Sequence, residues 1–305
     1  MTTAAVIGAG TIGLSWAALL ASKGIAVRVN DPRPDVADVV RDGVMQLAEV
    51  LPGDPLSLIV VEPELEAAVT GVDVVQENGP ERLDFKQYLF ARIEAAAPPG
   101  ALLLSSTSGL MPSDMAARMK HPGRLLVGHP FNPPHVVPLV EVVPGAQTSA
   151  AEAEAVMEFY RSIGKVPVLL RKEIGGFVAN RLQSALFRES VSLVLQGVVT
   201  PTELDQVVTE SIGVRWATAG PFESYHLGGG PGGIRHLLEH LGPGMVKRWK
   251  DLGQPELTDE VVDRLSRDTE GRFAGQDYDA RNAARDRVQL AVLAARDQAR
   301  EGREA

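Results

Sequence analysis

The chain has 305 residues, of which 45% are hydrophobic and 23% charged, and its formal net charge is −9. This length allows one large or two ordinary domains. The acidic balance does not favour nucleic acid or an anionic membrane as a partner. No cysteine is present, which excludes disulfides, thiolate nucleophiles and cysteine-bound metals. We find neither a secretion signal nor an apolar run long enough to span a bilayer, so we expect a cytoplasmic protein.

The first half of the chain predicts a parallel sheet with helices on both faces, because short apolar strands alternate with helical stretches. The predicted strands are Ala4–Ile7, Ile25–Asn30, Val72–Gln76, Ala101–Ser105, Leu125–Val127, Leu139–Val143 and Val166–Leu170. Helices are predicted at Thr11–Lys23, where Gly24 ends the helix, and at Ser149–Ile163, which has acidic residues in its first turn.

The character of the sequence changes after Lys172-Glu173-Ile174-Gly175-Gly176, which we interpret as a hinge. Phe177–Gln196 predicts a long helix, and Asp279–Arg300 predicts a charged amphipathic helix near the end of the chain. The region between them is helical with loops rich in glycine and proline. The second half is therefore expected to be helical throughout.

A glycine-rich turn joins the first strand to the first helix. Gly8-Ala9-Gly10-Thr11-Ile12-Gly13 has the pattern G-x-G-x-x-G in the strand–turn–helix context that dinucleotide binding needs. Gly8 permits the tight turn, Gly10 lets the backbone approach a pyrophosphate, and Gly13 lets the helix pack close to the strand. A flavin enzyme, or a turn without a ligand, is the alternative.

The second strand ends at Asp31, whose carboxylate is expected to accept hydrogen bonds from the adenosine ribose and so to favour NAD over NADP. Arg33 lies two residues later and weakens that preference, so NADP is not excluded. Together these features predict an α/β fold: a Rossmann-type, doubly wound, mainly parallel sheet over residues 1–175. An all-helical C-terminal domain follows over residues 176–305.

A second polar cluster follows later strands of the sheet. His129 lies at the end of one strand, and Glu141 lies inside an apolar one, where a carboxylate is costly to bury without a partner. If Glu141 lies beside His129, the carboxylate fixes the tautomer of the imidazole, and the imidazole can then act as a general base. The alternative is that the two residues form a purely structural ion pair. Ser108 is the last of a run of hydroxyl residues at the end of a further strand. Ligands lie at the carboxyl ends of strands in open α/β sheets, so we expect its hydroxyl to hydrogen-bond the substrate. The alternative is that Ser108 only caps a helix.

Six blocks of sequence together resemble the L-3-hydroxyacyl-CoA dehydrogenase family. They are Gly8–Gly13, Ser106-Thr107-Ser108, Gly128-His129-Pro130-Phe131-Asn132-Pro133, Leu139-Val140-Glu141-Val142-Val143, Gly176-Phe177-Val178-Ala179-Asn180-Arg181 and Gly220-Pro221-Phe222-Glu223. The resemblance implies that His129 is the catalytic base and that Glu141 orients it. It also implies that Ser108 and Asn180 contact the reacting oxygen of the substrate.

The remaining predictions concern cofactor, metal and partner. Besides the glycines and Asp31, we expect Thr11, Ile12, Glu81, Lys86 and Ser106 to bind the cofactor. We expect no metal, although His236-Leu-Leu-Glu239-His240 fits a metal-binding spacing, because nothing else in the sequence supports zinc. The family resemblance implies a homodimer formed through residues after Gly176.

The substrate is expected to differ from that of the fatty-acid enzymes. Pro34 to Val72 carries Arg41 against eight acids, namely Asp35, Asp38, Asp42, Glu49, Asp54, Glu62, Glu64 and Glu66, so a phosphate-rich coenzyme A ester would be repelled. The segment Gly213–Glu223 resembles the branch that contains lambda-crystallin/L-gulonate dehydrogenase and carnitine dehydrogenase. That branch acts on small 3-hydroxy acids and includes ketoreductases of polyketide pathways.

We therefore predict an oxidoreductase that interconverts a 3-hydroxy and a 3-oxo carboxylic compound. Arg181, Arg215 and Lys165 are candidates to pair a substrate carboxylate, and Arg215 is preferred. A 3-hydroxyacyl-CoA dehydrogenase proper and a non-catalytic, crystallin-like NAD-binding protein are the alternatives. A 6-phosphogluconate-type dehydrogenase is disfavoured because the stretch Gly175–Arg181 contains no lysine.

Overall fold

The computed structural model describes residues 2–48 and 50–304, so Glu49 and the terminal residues Met1 and Ala305 lie outside it. The chain divides into two compact units, Met1–Arg181 and Leu182–Ala305. The division falls a few residues after the boundary predicted at residue 175. No helix in the described part of the chain is both long and apolar enough to cross a membrane.

In the described part of the first unit, eight strands form one sheet in the order β3-β2-β1-β4-β5-β6-β7-β8. They are β1 (Thr3–Ile7), β2 (Ala26–Asn30), β3 (Ile59–Val61), β4 (Val74–Glu77), β5 (Leu102–Ser105), β6 (Leu125–Pro130), β7 (Leu139–Pro144) and β8 (Val166–Leu169). All neighbouring strands are parallel except the pair β6 and β7. This confirms the predicted doubly wound, mainly parallel sheet.

Two apolar cores cover the two faces of this sheet. The helices of the unit are α1 (Thr11–Ser22), α2 (Val36–Ala48), α3 (Leu65–Val69), α4 (Leu83–Ala96), α5 (Pro112–Met115) and α6 (Ala150–Ser162). Along β1, Ala4 and Val6 join the core with Trp16 of α1, whereas Ala5 and Ile7 join the core with Phe90 of α4. This alternation is the period-two pattern of a strand buried on both faces.

The second unit is helical, as predicted. Its helices are α7 (Ala179–Leu195), which begins in the first unit, α8 (Pro201–Val207), α9 (Gly213–Thr218), α10 (Pro221–Gly228), α11 (Gly233–Asp251), α12 (Asp259–Phe273) and α13 (Tyr278–Glu304). A π-helical segment, Val208–Ile212, joins α8 to α9. Thr200 and Glu203 cap the start of α8 reciprocally, and Arg272 of α12 pairs with Asp205 of α8 at 3.0 Å.

Strand order reverses between β1 and β4, because β2 follows β1 on one side while β4 lies on the other. Ligands in open α/β sheets bind at the carboxyl ends of the strands beside such a reversal. The glycine-rich turn that follows β1 lies at this point, and Asn78 and Gly79 follow β4 directly beside it. The fold therefore places the first predicted motif where a dinucleotide binds.

Candidate active site

In the turn between β1 and α1, Gly8 and Gly13 have no room for a side chain, whereas Gly10 borders open space. Gly8 has a φ of +97°, and a Cβ on Gly13 would collide with the carbonyl oxygen of Gly8. In contrast, apart from Gly10 and the chain immediately around it, no described heavy atom lies within 4 Å of the position that a Cβ would take on Gly10. No described side chain caps the start of α1. The free N–H groups and the open space at Gly10 fit a bound pyrophosphate.

Asp31 directly follows β2 and faces the same turn. Its Oδ2 accepts a hydrogen bond from the backbone N–H of Ala9 at 2.8 Å, and its Oδ1 accepts one from that of Arg33 at 3.0 Å. The Arg33 guanidinium is held by Asp35, with Nε 2.9 Å from Oδ1. The carboxylate at the ribose position is therefore fixed in place, and the neighbouring cation already has a carboxylate partner.

His129 and Glu141 are register partners on the antiparallel strands β6 and β7. Opposite residues on one face of such a pair have neighbouring side chains, and here His129 Nδ1 lies 2.9 Å from Glu141 Oε2. Both side chains are buried, with 5% of His129 and 2% of Glu141 exposed. The carboxylate that seemed costly inside an apolar strand thus has an imidazole partner directly across the hairpin.

Glu141 also holds the beginning of α7. Its Oε1 accepts hydrogen bonds from the backbone N–H groups of Val178 at 2.9 Å and Ala179 at 3.0 Å. Burial raises the pKa of Glu141, but the hydrogen bonds from His129 and from these two amides outweigh burial, so the net pKa is lowered. One carboxylate therefore fixes both the imidazole and the first turn of α7.

The turn into α7 is unusual at Phe177, which has a φ of +49°. A left-handed backbone is uncommon for a bulky residue and persists only where the surroundings enforce it. The Phe177 ring is fully buried, and its centroid lies 5.3 Å from that of His129, while Phe131 lies 4.8 Å away. The imidazole is thus held by two aromatic rings as well as by Glu141. The sequence motif contained Phe177 but did not indicate this contact.

Asn180, in the first turn of α7, reaches the loop after β5. Its Nδ2 donates to the backbone carbonyl oxygen of Ser108 at 3.2 Å. Glu81 fixes the same loop, because its Oε1 accepts from the Thr107 hydroxyl at 2.5 Å and from the Ser108 N–H at 3.1 Å. Ser108 itself is exposed. The structure therefore brings Asn180, Ser108 and Glu81 together.

Lys86 and Ser106, both predicted to contact the cofactor, are engaged with the protein. The Lys86 ammonium, fully buried, lies 2.7 Å and 2.8 Å from the two carboxylate oxygens of Glu77 and 3.8 Å from Glu81. The Ser106 hydroxyl accepts from Trp16 and Gln76 and donates to Asn78. In this geometry both residues support neighbouring groups, and their contact with the cofactor stays a prediction.

The three candidates for a substrate carboxylate lie in different surroundings. Arg215 is exposed on α9 of the second unit, and Arg181 donates to the Gly175 carbonyl at 3.3 Å. Lys165 is buried and its ammonium is bonded to two backbone carbonyls, so the structure does not present it to a substrate. That prediction is corrected, because the sequence alone did not reveal the burial of Lys165.

Two family models match this chain. The NAD binding domain of 3-hydroxyacyl-CoA dehydrogenase matches residues 3–174, and the C-terminal domain of the same enzyme matches residues 176–274. The chain belongs to the 3-hydroxyacyl-CoA dehydrogenase family. The match confirms the predicted family and shows that NAD is the cofactor, which agrees with the open glycine turn and the fixed Asp31 carboxylate.

Individual relatives indicate which branch of the family this chain resembles. L-carnitine dehydrogenase from Nocardiopsis dassonvillei is 41% identical over 299 residues, which cover 96% of this chain and 91% of that enzyme. The structure of 5-formyl-3-hydroxy-2-methylpyridine 4-carboxylic acid 5-dehydrogenase, an NAD+-dependent dismutase, aligns with a TM-score of 0.83 and 29% identity over 97% of this chain and 99% of that one. For 3-hydroxybutyryl-CoA dehydrogenase from Escherichia coli the TM-score is 0.63, at 31% identity over 74% of this chain and 49% of that one. The carnitine dehydrogenase-like branch predicted from the sequence is confirmed.

Proposed function

We propose that the protein interconverts a 3-hydroxy and a 3-oxo carboxylic compound with NAD, and that the substrate is a free acid. The observation that carries this proposal is the buried His129–Glu141 pair, across one hairpin from each other, with the same carboxylate anchoring the helix of Asn180. An imidazole oriented by a carboxylate is the arrangement that general-base chemistry needs.

The roles of the side chains follow from this geometry. Glu141 accepts a hydrogen bond from the Nδ1–H group of His129, so the other ring nitrogen keeps its lone pair and takes the proton from the substrate hydroxyl. The Ser108 hydroxyl and the Asn180 amide hold the substrate oxygen, and Glu81 fixes the loop that carries Ser108. When bound, NAD would accept the hydride from the substrate carbon that bears this hydroxyl.

A free acid is favoured by charge and by the relatives. Around α2, Asp38 and Asp42 are exposed and share Arg41, so the described side chains there leave the surface acidic. A coenzyme A ester carries several phosphate charges that this surface would repel, whereas a small acid carries one. L-Carnitine is the first candidate, since relatives 41% identical bear the name L-carnitine dehydrogenase. An aromatic polyketide 3-oxo acid is the second.

The test is a panel of substrates assayed for NADH formation or consumption. It contains L-carnitine, 3-hydroxybutyrate, an aromatic 3-oxo acid and 3-hydroxybutyryl-CoA, each with NAD+ or NADH and repeated with the phosphorylated cofactor. We expect turnover with at least one free acid and a preference for NAD. Turnover of the thioester alone would refute the free-acid substrate. Binding of NAD without turnover of any 3-hydroxy or 3-oxo compound would favour the non-catalytic alternative.

We further propose that the protein is a homodimer formed through the second unit. Apolar side chains are exposed on its helices, among them Leu182 (62%), Phe187 (60%) and Val207 (57%). Phe187 also lines an apolar groove of about 370 Å³ formed by α7, α8 and α12. Exposed apolar patches of this kind mark protein interfaces. Light scattering after gel filtration is expected to give twice the chain mass, and a monomer at micromolar concentration would contradict the proposal.

A further inference from the structure

Residues 131–138 form the β6–β7 loop, which joins the strand of His129 to the strand of Glu141. Lys165, between α6 and β8, reaches into this loop from behind. Its ammonium donates to the carbonyl oxygens of Pro134 and Val137, each at 2.5 Å, and only 7% of the residue is exposed. The loop that joins the two strands of the polar pair is therefore held on its inner side by the Lys165 ammonium.

The same loop is fastened to α1, the helix that begins at the glycine-rich turn. The His135 backbone N–H donates to Ser15 Oγ at 2.9 Å, and Ser15 Oγ lies 2.9 Å from His135 Nδ1. The Lys165 ammonium also lies 5.4 Å from the Trp16 ring centroid, within the range of a cation–π contact. Lys165 and Ser15 thus connect the hairpin of the polar pair to the helix of the cofactor turn.

Stabilisation alone is a poor explanation for an ammonium at this position. Among the described residues, no carboxylate forms an ion pair with Lys165. Burial lowers its pKa to about 8, which means that the folded protein disfavours the charged form. A buried charge without an ionic partner costs more free energy than an apolar side chain of similar length. What the ammonium provides is two short bonds that fix a loop geometry.

We propose that Lys165 is a positioning residue, which fixes the β6–β7 loop so that the His129 imidazole keeps its place relative to α1 and the cofactor. The kinetic consequence rests on the proposed function, whereas the effect on the His129–Glu141 hydrogen bond rests on the contacts alone. A small misplacement of a base is enough to lower the rate of proton transfer, since a shift of about 1 Å costs on the order of a hundredfold.

The kinetic test compares Lys165→Met with the matched control Lys120→Met, which removes an exposed lysine. We expect kcat of Lys165→Met to fall by at least about tenfold, while the Kd of NAD stays within about threefold. The primary isotope effect with substrate deuterated at the carbon that gives up hydride is expected to rise, because the chemical step becomes slower than product release. Lys120→Met is expected to behave as the wild type. A merely structural role would instead lower the melting temperature without changing the isotope effect.

A second readout does not depend on turnover. The Nδ1 proton of His129, hydrogen-bonded to Glu141, is expected to give a downfield NMR resonance that disappears in His129→Gln and shifts or broadens in Lys165→Met. An unchanged resonance with unchanged kcat would overturn the proposal. If Lys165→Met does not fold, Ser15→Ala is expected to show the same changes in smaller degree, and wild-type behaviour of that variant would overturn it. If the wild type turns over no substrate, the proposed function fails and the resonance alone decides on Lys165.

Discussion

Replacing Glu141 with glutamine tests the polar pair with the smallest change of shape. In Glu141→Gln the amide oxygen can still accept the N–H groups of Val178 and Ala179, which leaves the NH2 group facing His129. Because an NH2 group donates, Nδ1 of His129 must become the acceptor and its proton moves to the other ring nitrogen. The lone pair that we propose takes the substrate proton is then lost.

The substitution has two effects, the loss of the hydrogen bond to the carboxylate and the loss of the base, and the larger of the two sets the expected magnitude. A hydrogen bond to a charged group contributes about 1.5–3 kcal/mol, which corresponds to roughly 10- to 150-fold in rate. Loss of general-base catalysis accounts for about 10²- to 10⁴-fold. We therefore expect kcat/KM of Glu141→Gln to fall by about 10²- to 10⁴-fold, with little change in the Kd of NAD.

The assay is initial-rate NADH formation with the preferred free acid, together with NAD titration by protein fluorescence. A matched control is Glu94→Gln, because Glu94 also accepts two backbone N–H groups, those of Lys120 and His121, and its described hydrogen bonds include no imidazole. Glu94→Gln is expected to keep wild-type turnover. If Glu141→Gln retained kcat/KM within about threefold of the wild type, the orienting role of Glu141 would be refuted.

Two further predictions concern pH and cofactor choice. Because the folded-state pKa of Glu141 is lowered from its ordinary value of 4.5, its contribution to stability is fully present above about pH 4.5 and is lost as pH falls through the folded pKa. The difference in urea unfolding free energy between the wild type and Glu141→Gln should therefore shrink on acidification, and a constant or growing difference would contradict the assignment. Asp35→Asn frees Arg33 from an exposed ion pair and should raise the NADP+ to NAD+ ratio of kcat/KM by up to about fivefold. Asp38→Asn is the control, and an equal shift in both variants would refute a specific effect of Asp35.

Much of the fold was predictable because the first strands are buried on both faces and are flanked by glycines that mark the turns. The strand β3 was missed because its apolar run is short: it has three residues at the sheet edge, and it is partly exposed. The strand β6 extends to Pro130, beyond the predicted end at Val127, because Gly128, His129 and Pro130 pair with β7 although glycine and proline are depleted in strands.

Some features of the candidate active site were predictable from the sequence, and others were not. The pairing of His129 with Glu141 was predictable, since an acid inside an apolar strand needs a partner and a hairpin supplies one opposite. The second role of Glu141, as acceptor for the backbone N–H groups of Val178 and Ala179, was not predictable, because every residue except proline has such a group. The prediction that Lys165 pairs a substrate carboxylate was wrong for a related reason: its partners are backbone carbonyls, which residue types do not reveal.

The central claim is that His129 removes the substrate proton while NAD is bound beside it. The most direct measurement is single-turnover formation of NADH by His129→Gln, with NAD saturating and the enzyme in excess over the preferred free acid, after fluorescence titration of NAD binding. We expect NAD binding within about threefold of the wild type and NADH formation slowed by at least about 10²-fold. NADH formation at the wild-type rate in this variant would contradict the role of His129 as the base.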